Sequence, residues 1–384
     1  MTTKTLLTTF LSASFILCVT AGPLYGATLT TEFNTLVDQQ KITRAKQSVC
    51  IEQNDDHTLS YNATARIIPA SVSKLYTFDF ALATLPEDFR YTTKFYVNGT
   101  TLYINGAGDP HFVTEHLTKV LTQIQSEKRI TIDHIVFTPG FYFNWEMVPP
   151  AVHTALANAV SNTPAMPVSK NVRITLSFMP YSGKGTSYQF SSAPLPSLMK
   201  QINNYSTNIS ADILLSRLGG PVAFSEYMKK TYNAGPETVS FMTGSGLYGN
   251  YTTCELTLRV IEHLEAQLKE HGLEVTDVLS MPQVDPGVIE KRAINIDGKN
   301  AIVAKSGFVN YNHALAGVIN TKDNPAYFAI FTNYNLMAQT SAVKTMVDQY
   351  TEKILANFGS ALQSFDYTPD PGLFEDILIK KLKS

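Results

Sequence analysis

Ser71 and Lys74 stand three residues apart in Ile68-Pro69-Ala70-Ser71-Val72-Ser73-Lys74, just after a helix-breaking proline. A helix that starts there puts both side chains on one face, with Cβ atoms about 5–6 Å apart. A lysine so placed can take the serine's proton, the step that a serine acyl-transfer reaction needs. The helix N-terminus adds a field that favours negative charge developing at Ser71. The spacing alone carries little weight, because Ser197 to Lys200 and Ser341 to Lys344 repeat it. Serine and lysine are ordinary residues of solvated helix faces.

Order along the chain separates the three. Acyl-transfer sites built on Ser-x-x-Lys add a Ser-x-Asn element and then a Lys-[Ser/Thr]-Gly element. The last occurs once, as Lys305-Ser306-Gly307, inside an apolar run from Ala301 to Val309 that reads as a buried strand. A lysine there is costly unless something pairs with it. A substrate carboxylate is one such partner, and a structural salt bridge is the ordinary alternative. Ser-x-Asn occurs at Ser60 to Asn62, Ser169 to Asn171 and Ser206 to Asn208. Ser60 precedes Ser71, and Ser169 opens what reads as a strand. Ser206 and Asn208 lie between two expected helices, Pro196 to Ile202 and Ser210 to Leu218, where a loop can aim both side chains into a pocket. Ser71 is preferred to Ser197, which lies on the helix just before Ser206, and Ser341 reads as an exposed helix face.

These elements, in this order, resemble the D-Ala-D-Ala carboxypeptidase/endopeptidase family, the low-molecular-mass class C penicillin-binding proteins or peptidase family S13. The resemblance runs through Pro69-Ala70-Ser71-Val72-Ser73-Lys74, Gly106-Ala107-Gly108-Asp109-Pro110, Ala193-Pro194-Leu195 and Asn204 to Asp212. It continues through Gly244-Ser245-Gly246-Leu247, Lys305-Ser306-Gly307 and Leu315 to Ile319. It implies a serine-type D-alanyl-D-alanine carboxypeptidase, and a DD-endopeptidase where the leaving amine belongs to a neighbouring peptide. The implied partners are peptidoglycan stem peptides and β-lactams, with no cofactor and no metal. Ser71 is the implied nucleophile and Lys74 its base, with a pKa lowered by burial or by the charge of Lys305. Ser206 would relay the proton to the leaving amine, and Asn208 would orient Lys74 and the substrate amide. Lys305 and Ser306 would hold the terminal carboxylate. The N–H groups of Ser71 and of Phe308, just after Gly307, would form the oxyanion hole. Two departures stand out. Ser306 replaces the usual threonine but keeps the hydroxyl. Thr243 replaces the usual aspartate before Gly244, which puts the local hydrogen bonding in question. The alternatives are a β-lactamase or esterase of the same fold and a non-catalytic peptidoglycan-binding protein.

The positioning elements follow. The 384 residues suffice for one large core and one smaller domain. The expected fold is α+β: a helix-covered antiparallel sheet of the serine DD-peptidase/β-lactamase type, a helical subdomain and a smaller inserted β-rich domain. Expected boundaries are 1–26 for a signal peptide, 27–88 with 190–365 for the peptidase domain, 89–189 for the insert and 366–384 for a tail. The insert is short for the family, whose longer members carry two inserted domains. Expected helices cover Phe33 to Lys46, Val113 to Gln125 and Thr340 to Asn357, with a meander of strands from Ala301 to Asn333. Pro149-Pro150 and Pro180 to Gly185 read as loops.

The formal charge of −2 leaves no basic footprint for nucleic acid. Lys4 and the apolar run from Leu6 to Ala21 read as a secretory signal cleaved between Ala21 and Ala27, or as a retained anchor. Export would place the protein in the periplasm or cell envelope, where its polymeric substrate is. Cys50 and Cys254 then form a disulfide or remain two buried thiols. Ile379 to Lys383 is basic and amphipathic, and reads as a frayed terminus or a membrane-surface contact. His313, near the Lys-Ser-Gly strand, reads as structural with a role at the rim. The sequence leaves the oligomeric state open.

Overall fold

The computed structural model describes residues 22–384 except 54–57, 293, 295, 370–374 and 383–384. The expected signal peptide lies, up to residue 21, outside the described residues. Its last residues open a helix, α1 (Gly22–Gln39), which starts and ends earlier than the expected Phe33 to Lys46. Gly26 lets this helix lie close to the next strands, since a Cβ there would stand 2.9 Å from the Thr58 carbonyl oxygen.

The first sheet is antiparallel and has five strands: β1 (Ser48–Glu52), β2 (Thr58–Tyr61), β8 (Ile302–Val309), β9 (Asn312–Ile319) and β10 (Ala326–Asn333), in the order β2-β1-β10-β9-β8. β9 and β10, in its interior, read as largely apolar runs because both faces are covered. Val49, Ile51, Leu315, Ile319, Phe328 and Ile330 face α1 and the helix after β10, α9 (Thr340–Phe358). Cys50, Val303, Ala316, Val318, Ala329 and Phe331 face the other way. The two-residue period of a strand produces this sorting. Leu29, Phe33, Leu36 and Val37 form the matching helical stripe of α1. Full burial of each large apolar side chain is worth about 1.5–3 kcal/mol.

The opposite face packs on helices: α2 (Ser73–Leu82), α5 (Leu195–Tyr205), α6 (Asn208–Arg217), α7 (Gly220–Tyr232) and α8 (Cys254–Glu270). Thr253 caps α8 by accepting the Leu256 N–H at 3.2 Å. Cys50 of β1 and Cys254 of α8 are disulfide-bonded with Cα atoms 5.8 Å apart, which resolves the two readings left open above. Asp79, fully buried in α2, is saturated by Tyr227, Tyr232, His263 and Gln267 at 2.6–2.7 Å.

A second sheet lies between α2 and α5 in the chain. It contains β3 (Thr92–Asn98), β4 (Thr101–Asn105), β5 (Ile132–Phe137), β6 (Val168–Leu176) and β7 (Thr186–Ser191), with α3 (Thr114–Lys128) and α4 (Pro149–Asn162) as crossovers. β4, β5 and β6 are parallel, while β3 pairs antiparallel with β4 and β7. Pro149-Pro150, expected in a loop, instead opens α4, where the missing N–H groups cost no helix bond. The expected tail returns as β11 (Leu378–Lys381), an edge strand antiparallel to β7. This corrects the frayed reading of the basic segment. Ile377 and Ile379 pack against the core of the insert, so they are not free to lie on a membrane surface. Among the described residues no helix is long and apolar enough to cross a membrane.

Candidate active site

The chain turns sharply before Ser71. Ala70 takes φ +48°, and Ala70–Val72 form a 3-10 turn rather than the expected α-helical start, which comes at Ser73. A non-glycine residue at positive φ is strained and is held only where its surroundings dictate it. Two glycines do so here. A Cβ on Gly246, itself at φ +80°, would stand 1.9 Å from the Ala70 carbonyl oxygen. One on Gly307 would stand 2.9 Å from that of Pro69. The Ser71 turn is therefore clamped between the Gly244-Ser245-Gly246 segment and β8.

Lys74 lies one turn on, fully buried. Its Nζ donates to Ser71 Oγ at 3.0 Å, to Asn208 Oδ1 at 2.8 Å and to the Ser245 carbonyl at 3.2 Å. Burial is the main cause that pushes its pKa down to about 7, against an opposing pull from the Asp212 carboxylate. Of the two causes expected, burial is the one that lowers it. An amine near neutrality, within hydrogen-bond reach of a serine hydroxyl, is equipped for general-base work at physiological pH.

Lys305 is buried in β8 and donates to the Ser306 carbonyl at 2.9 Å. Burial first, and then the cations Lys74 and Arg292, push its pKa well below the ordinary lysine range. Arg292 is itself paired with Asp348. Lys305 has no carboxylate partner among the described residues, so the structural salt bridge weighed above is not formed. β8 is an edge strand. The Ala304 N–H leaves the sheet to reach the Ser280 carbonyl at 2.8 Å, and the strand period turns the N–H groups of Ser306 and Phe308 to the same free edge. Phe308 is exposed, and its ring stacks on His313 with centroids 4.8 Å apart. His313 is buried and bonded through Nε2 to the Thr340 carbonyl at 3.1 Å, and burial pushes its pKa down to about 4. It supports the rim as a neutral ring.

Ser206 and Asn208 fall at the α5–α6 junction, as their place between two helices suggested. Ser206 is left-handed at φ +52° and makes no side-chain hydrogen bond to Ser71 or Lys74. Asn208 opens α6 and reaches Lys74 directly. The competing motifs are placed elsewhere. Asn62 bonds the Arg44 and Gln47 carbonyls, and Ser169 makes a local turn with Asn171. Ser341 and Lys344 are exposed on α9. Lys200 is buried, but binds Asp285 at 2.7 Å and the Thr276 and Leu279 carbonyls. Asp109, in the glycine-rich turn of the insert, is buried and accepts the His111 N–H at 2.9 Å, and burial pushes its carboxyl pKa up to about 7.

Two contributors had no role assigned from sequence: the Ser245 carbonyl and Asn250. Asn250 accepts the N–H groups of Met242 and Thr243 and donates to Ser73 Oγ at 3.0 Å. The bonding put in question by Thr243 is made: its Oγ1 accepts the Gly246 N–H at 3.1 Å. The signal for this segment was its pair of glycines, of which Gly246 takes positive φ.

Residues 29–139 match the model of the D-Ala-D-Ala carboxypeptidase 3 (S13) family. No curated protein matches by sequence. Among solved structures, the Bd0816 predatory endopeptidase of Bdellovibrio bacteriovorus, in complex with the immunity protein Bd3460, superposes with a TM-score of 0.73 at 22% identity, over 85% of this chain and 96% of that one. Penicillin G-acylated Bd3459 predatory endopeptidase from the same organism gives 0.71 at 24%, over 87% and 99%. Penicillin-binding protein 4 of Haemophilus influenzae gives 0.65 at 15%, over 85% and 99%. The family match over residues 29–139 and a fold shared with penicillin-binding endopeptidases bear out the likeness of this chain to the D-Ala-D-Ala carboxypeptidase (S13) family.

Proposed function

We propose that the protein is a serine DD-peptidase of peptidoglycan, acting as a D-Ala-D-Ala carboxypeptidase and, on cross-linked peptides, as a DD-endopeptidase. The observation that carries this reading is the placement of Lys74 Nζ, 3.0 Å from Ser71 Oγ and 2.8 Å from Asn208 Oδ1, in a buried site where it has no ion pair among the described residues. The names of the structural relatives agree with it: endopeptidases, one of them acylated by penicillin G.

Neutral Lys74 accepts the Ser71 proton as Oγ attacks the carbonyl carbon of the penultimate D-alanine. The N–H groups of Ser71 and Phe308 receive the oxyanion, each such donor contributing about 3–4 kcal/mol. When the intermediate collapses, the C–N bond breaks and the proton held by Lys74 passes through Ser206 to the leaving amine. Water then attacks the acyl-enzyme with Lys74 as base, releasing the shortened peptide and restoring Ser71. Lys305 and Ser306 hold the terminal carboxylate, and that anion offsets the cost of burying Lys305. The leader-like residues 1–26 and the Cys50–Cys254 disulfide support a site of action in the periplasm or cell envelope.

The test is labelling with a fluorescent penicillin beside Ser71→Ala and Ser197→Ala, followed by D-alanine release from muropeptides. A stable adduct lost only in Ser71→Ala is expected. Turnover of the penicillin without an adduct would favour a β-lactamase, and an unlabelled wild type would overturn the catalytic reading.

A further inference from the structure

Helix α6 presents two side chains one turn apart, Asn208 and Asp212, towards the buried amine of Lys74. Asn208 touches it directly. Asp212 reaches it through one residue: Asp212 Oδ1 accepts the Ser245 N–H at 2.8 Å, and the Ser245 carbonyl accepts from Lys74 Nζ at 3.2 Å. Ser245 has little room to relax. A Cβ on Gly244 would stand 2.3 Å from the Ala211 carbonyl oxygen, and one on Gly246 would stand 1.9 Å from that of Ala70. The segment is thus wedged between α6 and the Ser71 turn, with Asp212 as its anchor on the α6 side.

We propose that Asp212 is a positioning residue for the proton transfer: it fixes the Ser245 carbonyl against Lys74, and its negative charge favours the protonated amine. The proposal rests on reading Lys74 as the base. Other charges facing Lys74 are few. From β8 comes the amine of Lys305, which burial and the neighbouring Lys74 and Arg292 hold well below the ordinary lysine range. From α8 the charged side chain that reaches α2 is His263, whose bond goes to Asp79. Asp79, on α2 itself, is saturated by the four side chains named above. The opposing pull of Asp212 on Lys74 agrees with the geometry.

The experiment measures acylation by a fluorescent penicillin against pH for the wild type, Asp212→Asn and Asp212→Glu. Asparagine keeps an acceptor for the Ser245 N–H but removes the charge. Its acid limb is expected to move to lower pH by about half a unit to one unit, because Lys74 loses its proton more readily. Glutamate keeps the charge, so its limb is expected to stay in place while the plateau rate falls. A purely structural residue would lower the rate without moving the limb. An unmoved limb in a folded Asp212→Asn that still labels at Ser71 overturns the proposal. Should Asp212→Asn fail to fold, Asp212→Ser, which also keeps an acceptor and removes the charge, decides in its place: a limb moved to lower pH supports the proposal, and one that stays in place overturns it. A wild type that is unlabelled at every pH, or labelled even in Ser71→Ala, overturns the base reading beneath it, and the proposal with it.

Discussion

The molecule contains two buried lysines set three residues after a serine, and they have opposite surroundings. Lys74 is hydrogen-bonded to neutral oxygens of Ser71, Asn208 and Ser245. Lys200 is ion-paired with Asp285, which is itself fixed by the Met281 N–H and Tyr367 OH at 2.7 and 2.6 Å. Tyr367 also offers its ring face to the Lys200 ammonium, 4.5 Å from the centroid. A cavity of about 830 Å³ opens beside Lys200, Ser197 and Tyr205, so the wrong pair sits next to ample space. The lesson is that burial and spacing do not make a base. A contacting carboxylate favours the proton on Lys200, whereas Lys74 has none in contact among the described residues and a serine hydroxyl within reach. Burial pushes both lysines down, but Asp285 opposes it at Lys200 through charge and a hydrogen bond.

Exchanging each lysine for methionine tests this contrast most severely. Lys74→Met is expected to slow acylation by about 10²–10⁴-fold, read as the second-order rate of penicillin labelling. Lys200→Met should leave the labelling rate per folded molecule unchanged but strand the Asp285 carboxylate. The expected cost is about 3–5 kcal/mol in denaturant unfolding. Equal effects of the two changes on labelling would remove the distinction.

A smaller effect concerns pH. Lys74 acts as a base only when neutral, so the acylation rate should rise with pH through about 7 and level off above it. Below that limb the rate should fall about tenfold per unit, and a limb near the ordinary lysine pKa would show that the site does not desolvate Lys74. The smallest effect is expected at Thr243. Thr243→Ala removes the acceptor for the Gly246 N–H and should cost about 1–3 kcal/mol of stability, measured by thermal unfolding, with labelling at Ser71 retained.

Much of the site was legible because it consists of side chains in a fixed order. Ser71, Lys74, Asn208 and Lys305 come together as the order of their motifs implied. Ser206 is nearby in the chain but unbonded to the pair. What sequence could not show is backbone chemistry: the Ser245 carbonyl has no residue-type signature, and the strain at Ala70 belongs to an unremarkable alanine. In the fold, the meander of β8, β9 and β10 was plain because both faces are apolar. β7 is hard to read because Tyr188 and Phe190 are the only apolar residues of Thr186–Ser191 and a glycine-containing loop precedes it, and without β7 its partner β11 has nothing to pair with. α4 was missed because prolines in a first turn resemble those of a loop.

The disulfide between β1 and α8 joins positions 204 residues apart in sequence. Ser71, Lys74, Asn208, Ser245 and the whole stretch from β3 to β7 lie inside the ring it closes, and Lys305 lies outside. A protease that severs the chain once within this ring releases no fragment. Ser71, Lys74 and the strand that faces them stay on one covalent skeleton, so exposed loops of the insert can be nicked without parting the residues of the candidate site.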